Sequence, residues 1–393
     1  MEGKHLSGSP GVEVKVVSAL SALDASAWNA VANPDPSLYN PFVSHEFLSA
    51  LEQAKCVGPG TGWTPRHLVI EADDGGIDAA APCYAKSHSQ GEYVFDHSWA
   101  DAYMQAGGRY YPKLQIAVPF TPVPGPRLLT RPGATSAANE QLLAAAALEL
   151  ASQAGLSSVH LTFTDHALQE RLAALGFLSR TGQQFHWTNQ GFSSFEDFLA
   201  TFASRKRKAV RKERAEAVSA DIEIEHVKGS DITEAHWDAF FDFYMDTGNR
   251  KWGRPYLNRT FFSLIGRTMP EQCLLVMAKR AGRYIAGALN MIGGDCLYGR
   301  YWGAVEHHPF LHFEVCYYQA IEYAIHHKLA RVEAGAQGEH KLARGYMPVE
   351  TYSAHWIANP QLRRAIGRYL EQEREAVSEA NEELAELGPY RKP

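Results

Sequence analysis

The sequence predicts an α+β protein built from two similar units in tandem. Three observations lead there. An ordered set of short signatures occurs twice. Three consecutive extended stretches late in the chain are separated by glycine turns, as in antiparallel hairpins. Elsewhere strand-like and helix-like stretches are mixed, which favours α+β over a doubly wound sheet.

The repeat is read first because it governs the rest. Gly108-Arg109-Tyr110 is followed by Pro119-Phe120, a helical stretch, Leu156 and Val159, Gly176-Phe177 and His186-Trp187. Gly299-Arg300-Tyr301 opens the same series again, through Pro309-Phe310, a helical stretch, Leu329 and Val332, Gly345-Tyr346 and His355-Trp356. Gly176 and His186 are spaced like Gly345 and His355. A duplicated unit predicts a ligand cleft between two halves. The expected halves are residues 1–190 and 191–393.

The elements follow in order. Phe42 to Leu51 predicts a helix capped by Ser44. His67 to Ile70 and Ala79 to Tyr84 predict strands around the turn at Asp73 to Gly76. Lys113 to Phe120 is a strand ended by prolines, and Asn139 to Ala154 is rich in strong helix formers. A strand at Val159 to Phe163, a helix at Leu168 to Leu175 stopped by Gly176, and a strand at Phe185 to Thr188 close the first unit. The second unit predicts helices at Ser194 to Phe202, Ser204 to Val218 and Glu234 to Thr247, with a strand at Ile222 to Val227 between them. Cys273 to Lys279, Tyr284 to Ile292 and Asp295 to Trp302 are the hairpin strands, with turns at Gly282 and Gly293-Gly294. Phe310 to His327 is apolar nearly all round and predicts a buried helix. Strands at Val332 to Ala334 and Thr351 to Ile357 and a polar helix from Gln361 to Leu387 complete the chain.

Composition narrows the function classes. The chain has 393 residues, 45% hydrophobic and 21% charged, enough apolar surface for two cores. A net charge of -6 argues against bulk nucleic-acid binding and leaves room for a local basic patch. Cys56, Cys83, Cys273, Cys296 and Cys316 are dispersed and odd in number, which fits a reducing cytoplasm. The amino terminus lacks an apolar signal core, and no run has membrane-spanning length.

The loop from Glu333 to Tyr346 is the strongest candidate for chemistry. It leaves a strand and gathers Gly335, Gly338, Glu339, His340, Lys341 and Arg344. Glycines allow close approach to a ligand. Lys341 can stabilise an oxyanion, and Glu339 or His340 can accept a proton from an attacking amine. The first unit carries Leu172 where the second carries Lys341, four residues before the repeated glycine. The competing reading is a polar surface loop with local charge pairs. In the helix Ser204 to Val218, Arg207, Arg211 and Arg214 form one cationic stripe suited to donor phosphates, or else a solvated face balanced by Glu213 and Glu216. Asp96, His97 and Trp99 suit a sugar or peptide acceptor, or simply a helix entry. Arg300, Tyr301 and Trp302 end a strand, and Arg250 and Trp252 form a second basic-aromatic loop. Glu314 lies in the apolar helix and needs a partner, Arg300 or a histidine; it serves as a base or as half of a buried pair. The histidine spacings give no metal motif.

The Lys341-x-x-x-Gly345 spacing after an acid-bearing strand, with the basic run Ser204 to Arg214, resembles the Fem-type aminoacyltransferases. Arg344 stands where their pattern has an aromatic residue. The segments Phe95 to Tyr103, Tyr110 to Leu114 and Gly335 to Tyr346 resemble more closely the FemAB-like family, over about Asn40 to Trp356. That resemblance implies two tandem N-acetyltransferase-like (GNAT) domains, each a mixed, mostly antiparallel sheet flanked by helices, with the first copy degenerate. It implies an acyl- or aminoacyl-transferase acting on an amine, on a cell-wall precursor or another small-molecule or nucleotide-linked acceptor. The implied donor is aminoacyl-tRNA or an acyl-CoA, with no bound cofactor assigned. The acetyl-CoA signature Arg/Gln-x-x-Gly-x-Gly/Ala is missing from both units. In the transferase reading Lys341 binds the oxyanion, Glu339 or Glu314 takes the proton, and Arg207 and Arg211 anchor the donor. A non-catalytic protein that recognises such a precursor is the alternative.

Overall fold

The computed structural model describes residues 6–8, 12–251, 255–335 and 338–391. The chain forms two compact units, each assembled from separated stretches. Unit 1 comprises Met1–Pro36, Phe42–Gly182 and Glu350–Glu379; unit 2 comprises Ser37–Pro41, Gln183–Val349 and Ala380–Pro393.

Unit 1 contains β1 (Leu6–Gly8), β2 (Val12–Val17), β3 (Trp63–Pro65), β4 (His67–Glu71), β5 (Ile77–Ala81), β6 (Cys83–Lys86), β7 (Lys113–Ile116), β8 (Leu129–Thr130) and β9 (Ser158–Thr164). They pair in the orders β1-β2-β4-β5-β8 and β3-β6-β7-β9. The pairs are antiparallel except β7 with β9, which is parallel. Unit 2 has the antiparallel run β11 (Ile222–Lys228), β12 (Cys273–Arg280), β13 (Arg283–Ile292) and β14 (Cys296–Ala304). Then β15 (Arg331–Glu333) lies parallel to β14. Each unit thus has a mostly antiparallel sheet that changes direction once.

The last strand of each sequence half is exchanged. β10 (Leu178–Thr188) follows the first half, yet its end pairs with β15 in unit 2, His186 opposite Glu333. β16 (Met347–Ile357) follows the second half, yet Tyr352 to Ile357 pair with β9 in unit 1, His355 opposite His160. The helix Pro360–Glu386 continues from β16, and Arg180 binds its Glu373 through two bonds of 2.7 Å. The sequence expectation of a division near Gly191, with the whole C-terminal helix in the second half, therefore differs from the observed units. Contiguity along the chain says nothing about which edge a terminal strand joins.

The repeat is visible in the backbone. Phe120 and Phe310, both after proline, have φ of 60° and 61°. Gly176 and Gly345, each ending the turn before the final strand, have φ of 88° and 87°. Leu156 donates to Ala151, and Leu329 to Ala324, each 2.9 Å or less, closing the helix before β9 and before β15 in the same way. The expected caps form: Ser44 accepts from Phe47, and Ser194 from Asp197. The buried helix of unit 2 runs from Leu311 to His326 and widens to a π turn at Glu314–Tyr318. Such turns recur at functional sites.

The units differ where the parallel strands part. In unit 1 the carbonyls of β9 beyond β7 are met by the chain itself. Gly125 donates to Phe163 at 3.0 Å, and buried Arg127 donates to Thr162 at 2.8 Å and to Val123 at 2.6 Å. In unit 2 the register with β15 stops at Tyr298 opposite Glu333, while β14 runs on to Ala304. Gly345 seats the loop that follows. It is left-handed, and an added Cβ would lie 2.8 Å from the Phe198 ring. Gly345→Ala is expected to lower unfolding stability by about 1–3 kcal/mol, measured by urea denaturation.

Candidate active site

The parting of β14 and β15 opens a cavity of about 120 Å3 in unit 2. Its walls are Ala288 and Asn290 of β13, Gly299 to Trp302 of β14, Ala334 after β15, and His312, Cys316 and Tyr317 of the π-turn helix. Arg300, Tyr301 and Trp302, expected to end a strand and to bind substrate, line this cavity, and their strand continues to Ala304. Between Leu289 and Asn290 the register slips, so that Tyr301 and Gly299 are paired and Arg300 is the extra residue. A bulge of this kind re-aims side chains.

Lys341 is on the 3-10 helix Glu339–Arg344 and is not itself a wall residue; its side chain reaches Gly335, the residue after the wall residue Ala334. It is 1% exposed, and so is Leu172, its counterpart in unit 1. Leu172 packs among apolar side chains. Lys341 instead donates from Nζ to the Gly335 carbonyl at 2.9 Å. Burial pushes its pKa down to about 7, and the nearby Arg300 charge adds to the effect. Among the described residues no carboxylate forms an ion pair with it. An ammonium has three donors, and the Gly335 carbonyl uses one.

The neighbouring expectations divide. His340 bonds the hydroxyl of Tyr317, a wall residue, at 2.9 Å. Burial pushes that hydroxyl well above its usual range. Glu339 is exposed. Glu314 is 2% exposed, but its partner is Arg214 rather than Arg300 or a histidine: Arg214 reaches it at 2.8 and 3.0 Å, and Gln319 donates at 2.7 Å. A carboxylate so engaged braces the helix Ser204–Ala217 against the π turn and is not poised to take a proton. The cationic stripe is broken for the same reason. Arg214 turns inward to Glu314 and Glu322, and Arg211 pairs with Glu196 at 2.5 Å. Arg207 is half-buried, while Arg205, Lys206, Lys208 and Lys212 are exposed. Arg344 spans Glu213, the His340 carbonyl and the Phe313 ring, fastening the loop to the helices.

Asp96, His97 and Trp99 belong to unit 1. Asp96 is buried and accepts from Lys113 at 2.5 Å and from Tyr110 at 2.7 Å. Burial pushes its carboxyl up, but the Lys113 ammonium outweighs this and holds it well below the usual range. Trp99 is buried with its ring 5.1 Å from His355. Only His97 reaches the surface, stacked on Phe95. The acceptor-binding expectation thus fails for Asp96 and Trp99, which the internal charge pair and the histidine contact claim. The Arg250 side chain and Trp252 lie outside the described residues. Sequence reasoning missed Asn290, His312, Cys316 and Tyr317. An isolated polar residue within an apolar strand was the one signal for Asn290.

A family model described as FemAB-like, peptidoglycan biosynthesis/recognition, matches residues 19–392. A crystal structure of FemX aligns with TM-score 0.52 and 13% identity, covering 93% of this chain and 100% of that one. The C-terminal domain of a putative lysylphosphatidylglycerol synthetase from Agrobacterium fabrum aligns with TM-score 0.54 and 10% identity, covering 90% and 97%. L-PGS from Bacillus licheniformis aligns with TM-score 0.50 and 10% identity, covering 85% and 98%. No curated protein sequence matches. No helix among the described residues is long and apolar enough to cross a membrane.

The buried amine has a measurable signature. Lys341 holds its proton to its ordinary 10.5 when unfolded and to about 7 when folded. Between these values the unfolded chain binds the extra proton, so this site's contribution to stability rises with pH and is least favourable below about 7. Lys341→Leu should remove that slope and be more stable than wild type in acid. Urea unfolding of both proteins at about pH 6 and about pH 9 measures the difference.

Proposed function

The chain belongs to the FemAB-like family, and on that footing we propose that unit 2 is an acyl- or aminoacyl-transferase acting on an amine. The observation that carries this reading is Lys341. A buried ammonium without a carboxylate partner is unfavourable for folding alone. The repeat holds leucine at the same place, so the fold does not require the charge. The family description, peptidoglycan biosynthesis/recognition, supports a cell-wall precursor as the acceptor.

In this mechanism the acyl carbonyl sits beside Arg300 with its oxygen toward Lys341. As the acceptor amine attacks, the carbon–nitrogen bond forms and charge builds on that oxygen. The Lys341 donors not used by Gly335 stabilise it, aided by Arg300. The proton leaving the amine passes to His340, linked through the Tyr317 hydroxyl, or to Glu339. Collapse of the tetrahedral state expels the donor's leaving group. Burial matters because a hydrogen bond to developing charge is stronger where water is excluded.

The donor is nucleotide-linked, aminoacyl-tRNA or an acyl-CoA, and the exposed face of Ser204–Ala217 is its phosphate contact. Arg205, Lys206, Arg207 and Lys208 supply the charge. Arg211 would have to leave Glu196 to join them.

Lys341→Leu should lower kcat by about 10²–10³-fold while the protein stays folded. Retained turnover would remove the lysine from the mechanism. The donor class can be read from thermal unfolding with aminoacyl-tRNA, CoA esters and UDP-sugars, since a ligand that binds only the folded state raises the midpoint. Arg207→Ala with Lys208→Ala should abolish the shift given by the true donor and reduce its salt dependence.

A further inference from the structure

Asn290 is wholly buried on the core-facing side of β13. It stands between Leu274 of β12 and Gly299 of β14, two residues after Ala288 on the same face. Every such position in an apolar sheet face is a natural place for Val, Leu or Ala. Yet neither Oδ1 nor Nδ2 of Asn290 has a hydrogen-bond partner. Leaving both ends of a buried amide unpaired is costly, and native structures rarely tolerate it without a reason.

The surroundings supply the reason. Asn290 lines the same cavity as Arg300 and Tyr317. The residue opposite is glycine, so nothing covers the amide from β14. A Cβ built at Gly299 would come 3.5 Å from Asn290 Oδ1 without a clash. The bulge at Arg300 carries that longer side chain out of line with the pair. A carboxamide with both polar ends unpaired therefore forms part of the cavity wall.

We infer that Asn290 is a specificity-determining residue that receives one residue of a peptide-bearing ligand, accepting from that residue's N–H and donating to its C=O. An extended peptide presents the N–H and C=O of one residue toward the same side, as in an antiparallel pair, and so matches both atoms at once. A phosphate or a lone carbonyl leaves Oδ1 unpaired, and an ammonium leaves Nδ2 unpaired. The acceptor or acyl group thus carries a peptide bond close to the reacting centre. This rests on the cavity being the transferase's ligand site.

The test compares N-acetyl-alanine methylamide with its ester counterpart O-acetyl-lactic acid methylamide, in which the N–H of that one residue is replaced by oxygen and its C=O is kept. Affinities are measured by calorimetry on the full chain. Wild type should bind the amide at least about tenfold more tightly than the ester. Asn290→Leu should bind both equally and melt no lower than wild type, because an apolar side chain relieves the unpaired amide. Gly299→Ala should also lose the preference, since its methyl covers Asn290. Equal affinity in wild type, a preference that survives in Asn290→Leu, or binding of neither compound at millimolar concentration would overturn the inference. Lys341→Leu separates the two readings. It should keep the amide preference, because it touches the reacting carbonyl and not the peptide unit. Wild type that shows the preference but transfers no acyl group to an amine removes the transferase reading alone. A lost preference in wild type with Lys341-dependent turnover removes this inference alone.

Discussion

The parting of the parallel pair β14 and β15 is the constraint on which the candidate site depends. Parallel strands held together along their length would bury their inner edges against each other. Here pairing ends at Glu333 while β14 continues through the arginine bulge to Ala304. Backbone that a neighbouring strand would otherwise cover becomes cavity wall. The chain leaving β15 must then turn back, and it does so through Gly335 and the 3-10 helix that carries Lys341.

Unit 1 shows the same geometry resolved differently. The loop after Phe120 returns across the end of β9, and Gly125 and Arg127 take the carbonyls left beyond β7. The corresponding position, on the helix His166–Ala174, carries Leu172 inside an apolar cluster. Its buried charges, Lys113 with Glu92 and Asp96, neutralise one another at 2.5–2.7 Å. Lys113 is thus neutralised by carboxylates, whereas buried Arg127 in unit 1 and Lys341 in unit 2 donate to backbone carbonyls.

Electrostatics also sorts the helix Ser204–Ala217. Read as a wheel it carries one cationic stripe, but its members have separate tasks. Arg214 is folded over the Phe195 ring and fixed to Glu314 and Glu322, where it replaces lost hydration with charge-assisted bonds. Nearer the amino end Arg205, Lys206 and Lys208 are exposed and Arg207 is half-buried. A periodicity identifies a shared face, and only the packing of neighbouring helices decides which cations on that face are already engaged.

Much was determined by the sequence alone. The hairpins of β12 to β14, the capped helices, the left-handed Gly176 and Gly345 and the duplicated order all depend on local chemistry, on propensities and turns acting within a few residues. For that reason the α+β class, the repeat and the singular position of Lys341 were legible. Partners distant in the chain were not. Glu314 with Arg214, Asp96 with Lys113, the exchanged last strands and the unpaired amide of Asn290 were decided by tertiary structure. Each depends on which surfaces meet when separate elements pack, and no spacing along the chain encodes the direction in which a buried side chain finds, or fails to find, its complement.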